Sequence, residues 1–265
     1  ETALITNEGF RDAHEIGRQN RPDIYDLHDT KPEPVVPRNR RYEVGGRLNE
    51  RGEELEPLDE AEVRELAAEI DADSVAVSLL FAFEDASHER RVGELLTEAG
   101  FDSVSLSSSV LPEIREYERT LATSLNAALR PVMDRYLGRL EAELDAANVT
   151  APLRVMGSNG GIVDGKTARV RPVETLLSGP AGGVRGAAHI AGRLGHENLL
   201  TMDMGGTSCD VSLVEGGDPV VTTDVEVGDY PVAVPMVDVH TVGSGGGSIA
   251  WLDEGGALRV GPKSA

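Results

Sequence analysis

Asp203 and Asp210 flank a glycine turn, and this spacing places polar groups together at the tip of a predicted hairpin. Apolar residues on both sides predict strands that enter and leave the tip. The turn Gly205–Gly206 lets backbone N–H groups approach a ligand closely because glycine has no Cβ, and Thr207–Ser208 adds two hydroxyl donors. The pattern predicts a site for a nucleotide phosphate, with ATP as the expected nucleotide.

The two carboxylates predict a cation beside the phosphates. Asp203 is expected to hold Mg²⁺ directly or through water, and Asp210 to hold the metal or polarise a water, which makes both candidate catalytic residues. The segment is not a Walker loop, because no lysine follows the glycines and a strand replaces the helix. A plain hairpin is the simpler interpretation, since Gly-Gly turns between strands are common, but the flanking aspartates and hydroxyls favour the functional one.

Asp238 and His240 form a second, weaker candidate metal site. They lie two residues apart and share one side of the chain if this region is extended. A carboxylate and an imidazole are suitable ligands for a divalent metal. A solvated surface pair is the more common explanation of such spacing.

Two further glycine-rich segments are candidates for ligand contacts. Gly243, Gly245 and Gly246 belong to a run that is either a flexible turn or a place where backbone approaches the nucleotide. Asn159 and Gly160 precede another glycine, and the Asn159 amide is a candidate contact to a cyclic substrate.

Composition narrows the class of protein. The 265 residues carry a net charge of −21, which argues against binding nucleic acid or an anionic membrane surface. Lysine occurs only at positions 31, 166 and 263, and this acidic, lysine-poor balance favours a halophilic source. Cys209 is the single cysteine, and no apolar run is long enough to cross a bilayer. A reducing cytoplasm is the expected location.

Alternation of helical and strand patterns predicts an α/β fold. Helices are expected over residues 8–19 and from a capping box at Asp59 and Glu62, followed by a buried strand over 74–81. Ser87 is the predicted cap of the next helix. A long amphipathic helix is expected over 112–147, kinked or divided by Pro131. A domain boundary is expected near 108–112.

Several motifs in order resemble the hydantoinase A/5-oxoprolinase family, which includes N-methylhydantoinase A. The segment DMGGTSCD (203–210) is similar to the second phosphate motif of the actin, sugar kinase and Hsp70 ATPase superfamily. The motifs that narrow the resemblance are SNGG (158–161), LSGPAGG (177–183), VDVHTVGSGGGS (237–248), LRVGPKSA (258–265), TNEGFRD (6–12) and LPEIREYERT (111–120). Together they cover nearly the whole chain.

The resemblance implies actin-like (ribonuclease H-like) ATPase domains that are incomplete in this chain. Residues 1–110 correspond to the C-terminal part of the family's N-terminal domain, and 111–265 to the N-terminal part of its ATPase domain. Family members begin with a first phosphate hairpin upstream and continue past residue 265. The chain is therefore expected to be an internal fragment that is not active alone.

The implied activity is ATP-dependent hydrolysis of a cyclic amide, of the hydantoin or 5-oxoproline type, through phosphorylation of its carbonyl. The implied cofactors are ATP and Mg²⁺ or another divalent metal. Two alternatives stay open: an ATP-using subunit of an acetone- or acetophenone-type carboxylase, and a non-catalytic nucleotide-binding or assembly subunit. A second, hydantoinase B-like subunit or domain is the implied partner, and an oligomer is expected.

Overall fold

The computed structural model describes residues 1–19, 25, 28 and 31–265. The strands are β1 (Thr2–Asn7), β2 (Arg41–Val44), β3 (Arg47–Leu48), β4 (Glu54–Glu56), β5 (Ser74–Ser78), β6 (Val104–Leu106), β7 (Arg154–Met156), β8 (Ile162–Asp164), β9 (Leu199–Met204), β10 (Cys209–Glu215), β11 (Asp218–Pro219), β12 (Val221–Thr222), β13 (Val225–Val227), β14 (Tyr230–Val232), β15 (Met236–Val237), β16 (Val239–Val242), β17 (Ser248–Leu252) and β18 (Leu258–Ser264). The helices are α1 (Ala13–Ile16), α2 (Glu60–Glu69), α3 (Ser87–Glu98), α4 (Ser107–Val110), α5 (Glu116–Ala146), α6 (Gly165–Val170) and α7 (Ser178–Arg193).

The chain divides into two compact units, and each is described by itself. The first unit comprises Glu1–Leu153, Gly165–Val173 and Glu226–Val234. The second comprises Arg154–Asp164, Glu174–Val225 and Pro235–Ala265. Within the described residues, no helix has the length and hydropathy needed to cross a membrane.

A parallel four-stranded sheet, ordered β2-β1-β5-β6, forms the centre of the first unit. All five residues of β5 are buried, as expected for a parallel strand that is covered on both faces. Apolar residues of α2 and α3 pack with Ala3, Ile5 and Val75 on one face of the sheet. On the other face, Ala127 of α5 packs with Leu4 and Ala76. The predicted α/β class is confirmed, whereas the actin-like subclass and the boundary near 110 stay predictions.

Two predicted helix starts differ in detail from the structure. The Asp59 side chain accepts hydrogen bonds from the N–H groups of Ala61 and Glu62, which confirms it as the cap of α2. Glu62 does not complete a capping box, because its carboxylate accepts from Gly45 N–H at 2.9 Å. The prediction of Ser87 as a cap is wrong: its side chain makes no capping bond, and Asp85 accepts from the backbone N–H at position 87 instead.

The long helix and the strand before α3 also differ from their predicted bounds. Helix α5 begins four residues later than expected and continues through Pro131 as one helix of 31 residues. Burial of its N-terminal half against the sheet outweighs the single backbone hydrogen bond that proline removes. Strand β5 ends at Ser78 because the next two N–H groups bond to the side chains of Glu89 and Asn7. The helix expected over 8–19 shortens to α1.

The second unit is built on antiparallel strands. Strand β10 pairs with β9 along one edge and with β11 and β16 along the other. Helix α7 covers this sheet through Ala181, Val184 and Ala188, which pack with Val214 and Val237. Helix α7 begins at Ser178, within the glycine-rich segment LSGPAGG (177–183).

His14 in α1 predicts a loss of stability in mild acid. It is 5 % exposed, neither ring nitrogen has a hydrogen-bond partner, and burial, with the charge of Arg41, lowers its pKa from 6.5 to about 4. Between these pH values the unfolded chain binds a proton that the folded chain does not, so stability falls as pH drops from about 6.5 to about 4, by about 3 kcal/mol in full. We expect His14→Phe to remove this part of the pH dependence in urea unfolding.

The same change at exposed His189 is the control and should leave the pH dependence intact. If the free energy of unfolding of the His14→Phe variant depends on pH as strongly as that of the unaltered protein, the buried imidazole is not the cause of this dependence.

Candidate functional site

The hairpin predicted around residues 203–210 is present in the second unit. Asp203, near the end of β9, lies directly opposite Asp210, near the start of β10. The turn between them is closed by a hydrogen bond from Gly205 N–H to Ser208 O at 2.9 Å. The two carboxylates are therefore neighbours across the ladder, as the sequence predicts.

Three consecutive backbone N–H groups at the tip have no acceptor among the described residues. They belong to Gly206, Thr207 and Ser208, and the first two of these residues are exposed. The hydroxyls of the latter two add further donors. Successive free N–H groups on a tight turn suit an anion with several oxygens, and phosphate is the common biological one. The donor set and the adjacent carboxylates fit a phosphate with its divalent cation.

Thr241 joins the two aspartates in one row across three strands. It lies opposite Asp210 on β16, and its hydroxyl donates to Asp210 Oδ1 at 2.7 Å. Residues that are directly opposite one another share a face of the sheet, so Asp203, Asp210 and Thr241 project to the same side. Sequence reasoning missed Thr241 and chose its neighbour His240 instead. In an extended strand these two adjacent residues project to opposite sides.

A second glycine loop, residues 243–248, supports the tip through its backbone. Gly246 N–H donates to Gly205 O at 2.9 Å, and Gly247 N–H donates to Gly206 O at 2.7 Å. A Cβ on Gly245 would lie 2.7 Å from backbone atoms of the tip. Gly245 N–H donates to Ser248 Oγ, and Gly246 N–H donates to Gly205 O as described above. Neither N–H group is therefore free to bind a ligand. Direct contact of this loop with a nucleotide stays a prediction; contact with the hairpin is observed.

The structure separates Asp203 from the Asp238–His240 pair. His240 lies opposite Val211, one position along the strand from Asp210, so it projects to the other face of the sheet. The described part of the chain contains no group of three or more acidic, histidine or cysteine side chains arranged to hold a metal. Asp203 and the Asp238–His240 pair are therefore two separate candidate positions, and metal binding at each stays a prediction.

The candidate substrate residues form a turn of their own. Gly160 has a φ of +76°, a conformation that favours glycine, and its N–H donates to Gly157 O. The side-chain oxygen of Asn159 accepts from Gly161 N–H at 2.8 Å, so part of this amide is engaged in holding the turn. Their contact with a substrate stays a prediction.

Comparison with known proteins assigns the family. The hydantoinase/oxoprolinase N-terminal region matches residues 1–100, and the hydantoinase/oxoprolinase model matches residues 119–265. The chain therefore belongs to the hydantoinase/oxoprolinase family. The alpha subunit of caprolactamase from Pseudomonas jessenii is 38 % identical over 268 residues, which cover 99 % of this chain and 38 % of that subunit.

Two solved structures share the fold of the chain. The crystal structure of ATP-dependent caprolactamase from Pseudomonas jessenii matches with a TM-score of 0.89 and 38 % identity over the whole chain. The nucleotide-free structure of acetone carboxylase matches with a TM-score of 0.79 and 30 % identity over 99 % of it. In both cases the chain spans 39 % of the matched protein.

Close packing at Gly245 predicts a strong effect of a single methyl group. We expect Gly245→Ala to destabilise the second unit by about 1–3 kcal/mol, because the new Cβ meets backbone atoms that cannot move aside independently. Urea unfolding followed by the fluorescence of the single tryptophan, Trp251, measures the change.

Gly243→Ala is the matched control in the same loop. A Cβ there meets no atom within 4 Å, so stability should change by no more than about 0.5 kcal/mol. Equal stability of the two variants would contradict the packing described for Gly245.

Proposed function

We propose that the chain forms part of an ATP-dependent enzyme that opens a cyclic amide, with the hairpin at residues 203–210 holding nucleotide phosphates. The observation that carries this proposal is a run of three backbone N–H groups without an acceptor, two of them on exposed residues, beside two carboxylates that lie opposite each other across the ladder. Membership of the hydantoinase/oxoprolinase family supports it, as does the likeness to an ATP-dependent caprolactamase.

Each group at the tip has a defined role in the proposed reaction. ATP, when bound, would supply the phosphoryl group that activates the amide carbonyl, so that water adds to its carbon, the ring C–N bond breaks and phosphate is released. The N–H groups of Gly206, Thr207 and Ser208 donate to phosphate oxygens and neutralise charge. Asp203 and Asp210 hold Mg²⁺, directly or through water. Thr241 fixes the orientation of Asp210 through its hydrogen bond.

The rest of the proposal concerns the larger assembly. Actin-like ATPase domains complete the fold, and a hydantoinase B-like subunit or domain works beside it. The name of the caprolactamase relative, which is a subunit, supports a partner. Asp238 and His240 are proposed to bind a second divalent metal, and Asn159 to contact the substrate.

The carboxylates predict a selective loss of nucleotide binding. We expect Asp203→Asn and Asp210→Asn each to weaken Mg-ATP binding by about tenfold or more in the intact protein, because each removes a charged metal ligand. Isothermal titration calorimetry measures the affinity.

Asp218→Asn is the control for this titration. Asp218 lies opposite Glu215 at the other end of β10 and pairs with Arg185, so its loss should leave Mg-ATP binding unchanged. If all three variants bind with the same affinity, the hairpin does not hold the nucleotide.

Likeness to acetone carboxylase favours one second candidate function, an ATP-using carboxylase subunit. The two reactions differ in their dependence on bicarbonate. For a cyclic amide hydrolase, ATP turnover should require a lactam such as 5-oxoproline or caprolactam and be unaffected by added bicarbonate. Turnover that requires bicarbonate and a ketone would establish the carboxylase alternative instead.

A further inference from the structure

Helix α5 continues well beyond the part that the rest of the first unit covers. Its buried residues lie between Glu118 and Ala127, and after them Leu137 is the one buried residue of the described helix. The C-terminal half begins at Pro131, which removes a backbone hydrogen bond. A helix of about 15 residues is marginally stable in water without tertiary packing. Packing within the chain therefore contributes little to the second half of α5.

One face of this half is packed against α6. Leu137 is 3 % exposed, and Asp134 and Glu141 on either side of it both pair with Arg169, at 2.7 Å and 3.0 Å. Residues three or four apart share a helix face, so these three positions of α5 point to the same side. The other side of the helix is left to solvent.

That other side carries two large apolar side chains and two arginines. Val132 and Tyr136 are 56 % and 60 % exposed. Arg135 and Arg139 are exposed, and neither side chain has an ion pair or hydrogen bond in the described part of the chain. The four residues stand at positions i, i+3, i+4 and i+7 and therefore share one face. They form the outer face of α5.

The two arginines of the outer face gain nothing from their own chain. Like charges four residues apart on a helix disfavour it. Glu143, four residues after Arg139, forms no ion pair with it among the described contacts, and Asp73 pairs with the amino group of Glu1 rather than with Arg135. In a chain of net charge −21, these guanidinium groups remain available for the carboxylates of another protein.

We propose that the outer face of α5 docks a separate protein subunit whose surface presents carboxylates around an apolar centre. The carboxylates pair with Arg135 and Arg139, and the apolar centre receives Val132 and Tyr136. Tyrosine and arginine are enriched among the side chains that dominate protein interfaces, and arginine pairs with a carboxylate through two parallel hydrogen bonds.

The charge of the outer face selects against a second copy of the chain. A two-fold symmetric contact brings the same patch of both copies together, which would oppose arginine to arginine. The proposal deepens the proposed function by naming the surface on which its hydantoinase B-like subunit binds, and it rests on that function for the existence of this partner.

Hydroxyl-radical footprinting of the intact protein tests whether the partner covers this face. The intact protein is oxidised with and without the hydantoinase B-like subunit from the same source, and modification is located by mass spectrometry of peptides. We expect Tyr136 to be oxidised rapidly in the protein alone and at least about fivefold more slowly in the complex, because a docked partner excludes water. Leu55, which is 63 % exposed on β4, is the internal control and should react equally in both.

Substitutions on the outer face test which groups hold the partner. In surface plasmon resonance we expect Tyr136→Ala to weaken binding of the subunit by about tenfold and the pair Arg135→Glu with Arg139→Glu by about a hundredfold. The effect of the charge reversal should shrink as salt is added, because salt screens charges at the rim of an interface.

The matched control is the pair Arg64→Glu with Arg90→Glu. These exposed arginines lie on α2 and α3, which cover the other face of the sheet, and their reversal changes the net charge by the same amount. Binding should be unaffected. If the variant with both α5 arginines reversed does not fold, Tyr136→Ala and the footprint on the unaltered protein decide.

Other outcomes overturn the proposal in distinguishable ways. A complex that the α5 variants bind as tightly as the unaltered protein would place the partner elsewhere and leave the rest of the proposed function intact. Slow oxidation of Tyr136 in the protein alone would assign the face to the rest of its own chain, and self-association that the α5 variants abolish would assign it to a second copy. Failure of the unaltered protein to form any complex would remove the partner itself.

These measurements contain no nucleotide. Their failure leaves the phosphate-binding proposal for the hairpin intact, and failure of Mg-ATP binding leaves the docking proposal intact.

Discussion

Backbone contact between two glycine loops determines the shape of the candidate site. The loop at 243–248 donates hydrogen bonds to both glycine carbonyls of the hairpin tip and approaches it more closely than any side chain would allow. Because these carbonyls are engaged, the chain at 205–208 is held in a turn that leaves three N–H groups free. The glycines at 245 and 247 thus shape a site that they need not contact themselves.

The free groups at the hairpin tip determine the kind of ligand that it suits. The N–H groups of Gly206, Thr207 and Ser208 have no acceptor among the described residues, and the first two of these residues are exposed. Donors of this kind suit a highly charged anion that brings metal ions with it.

Local patterns in the sequence predicted the hairpin and the α/β alternation well. Asp203 and Asp210 follow from spacing alone, because a two-strand turn places flanking residues opposite each other. Thr241 could not be predicted in this way, since its pairing with Asp210 depends on which strand lies beside β10. The continuity of α5 through Pro131 and the hydrogen bond from Ser87 N–H to Asp85 depend on packing and on side-chain orientation, which sequence propensities do not contain. The burial of Arg119, which is 1 % exposed, was not predicted because nothing in a helical sequence pattern marks an arginine as buried.

Separation along the chain sets the order in which the hairpin acquires its final form. Strands β9 and β10 are adjacent in sequence, so their ladder requires only the closure of a short loop. The carbonyls of Gly205 and Gly206 meet Gly246 and Gly247 only after about 40 intervening residues have been arranged, a non-local step that is slower. We therefore expect the hairpin to pair before its tip becomes rigid. The proposed phosphate site is complete only when the second glycine loop has docked.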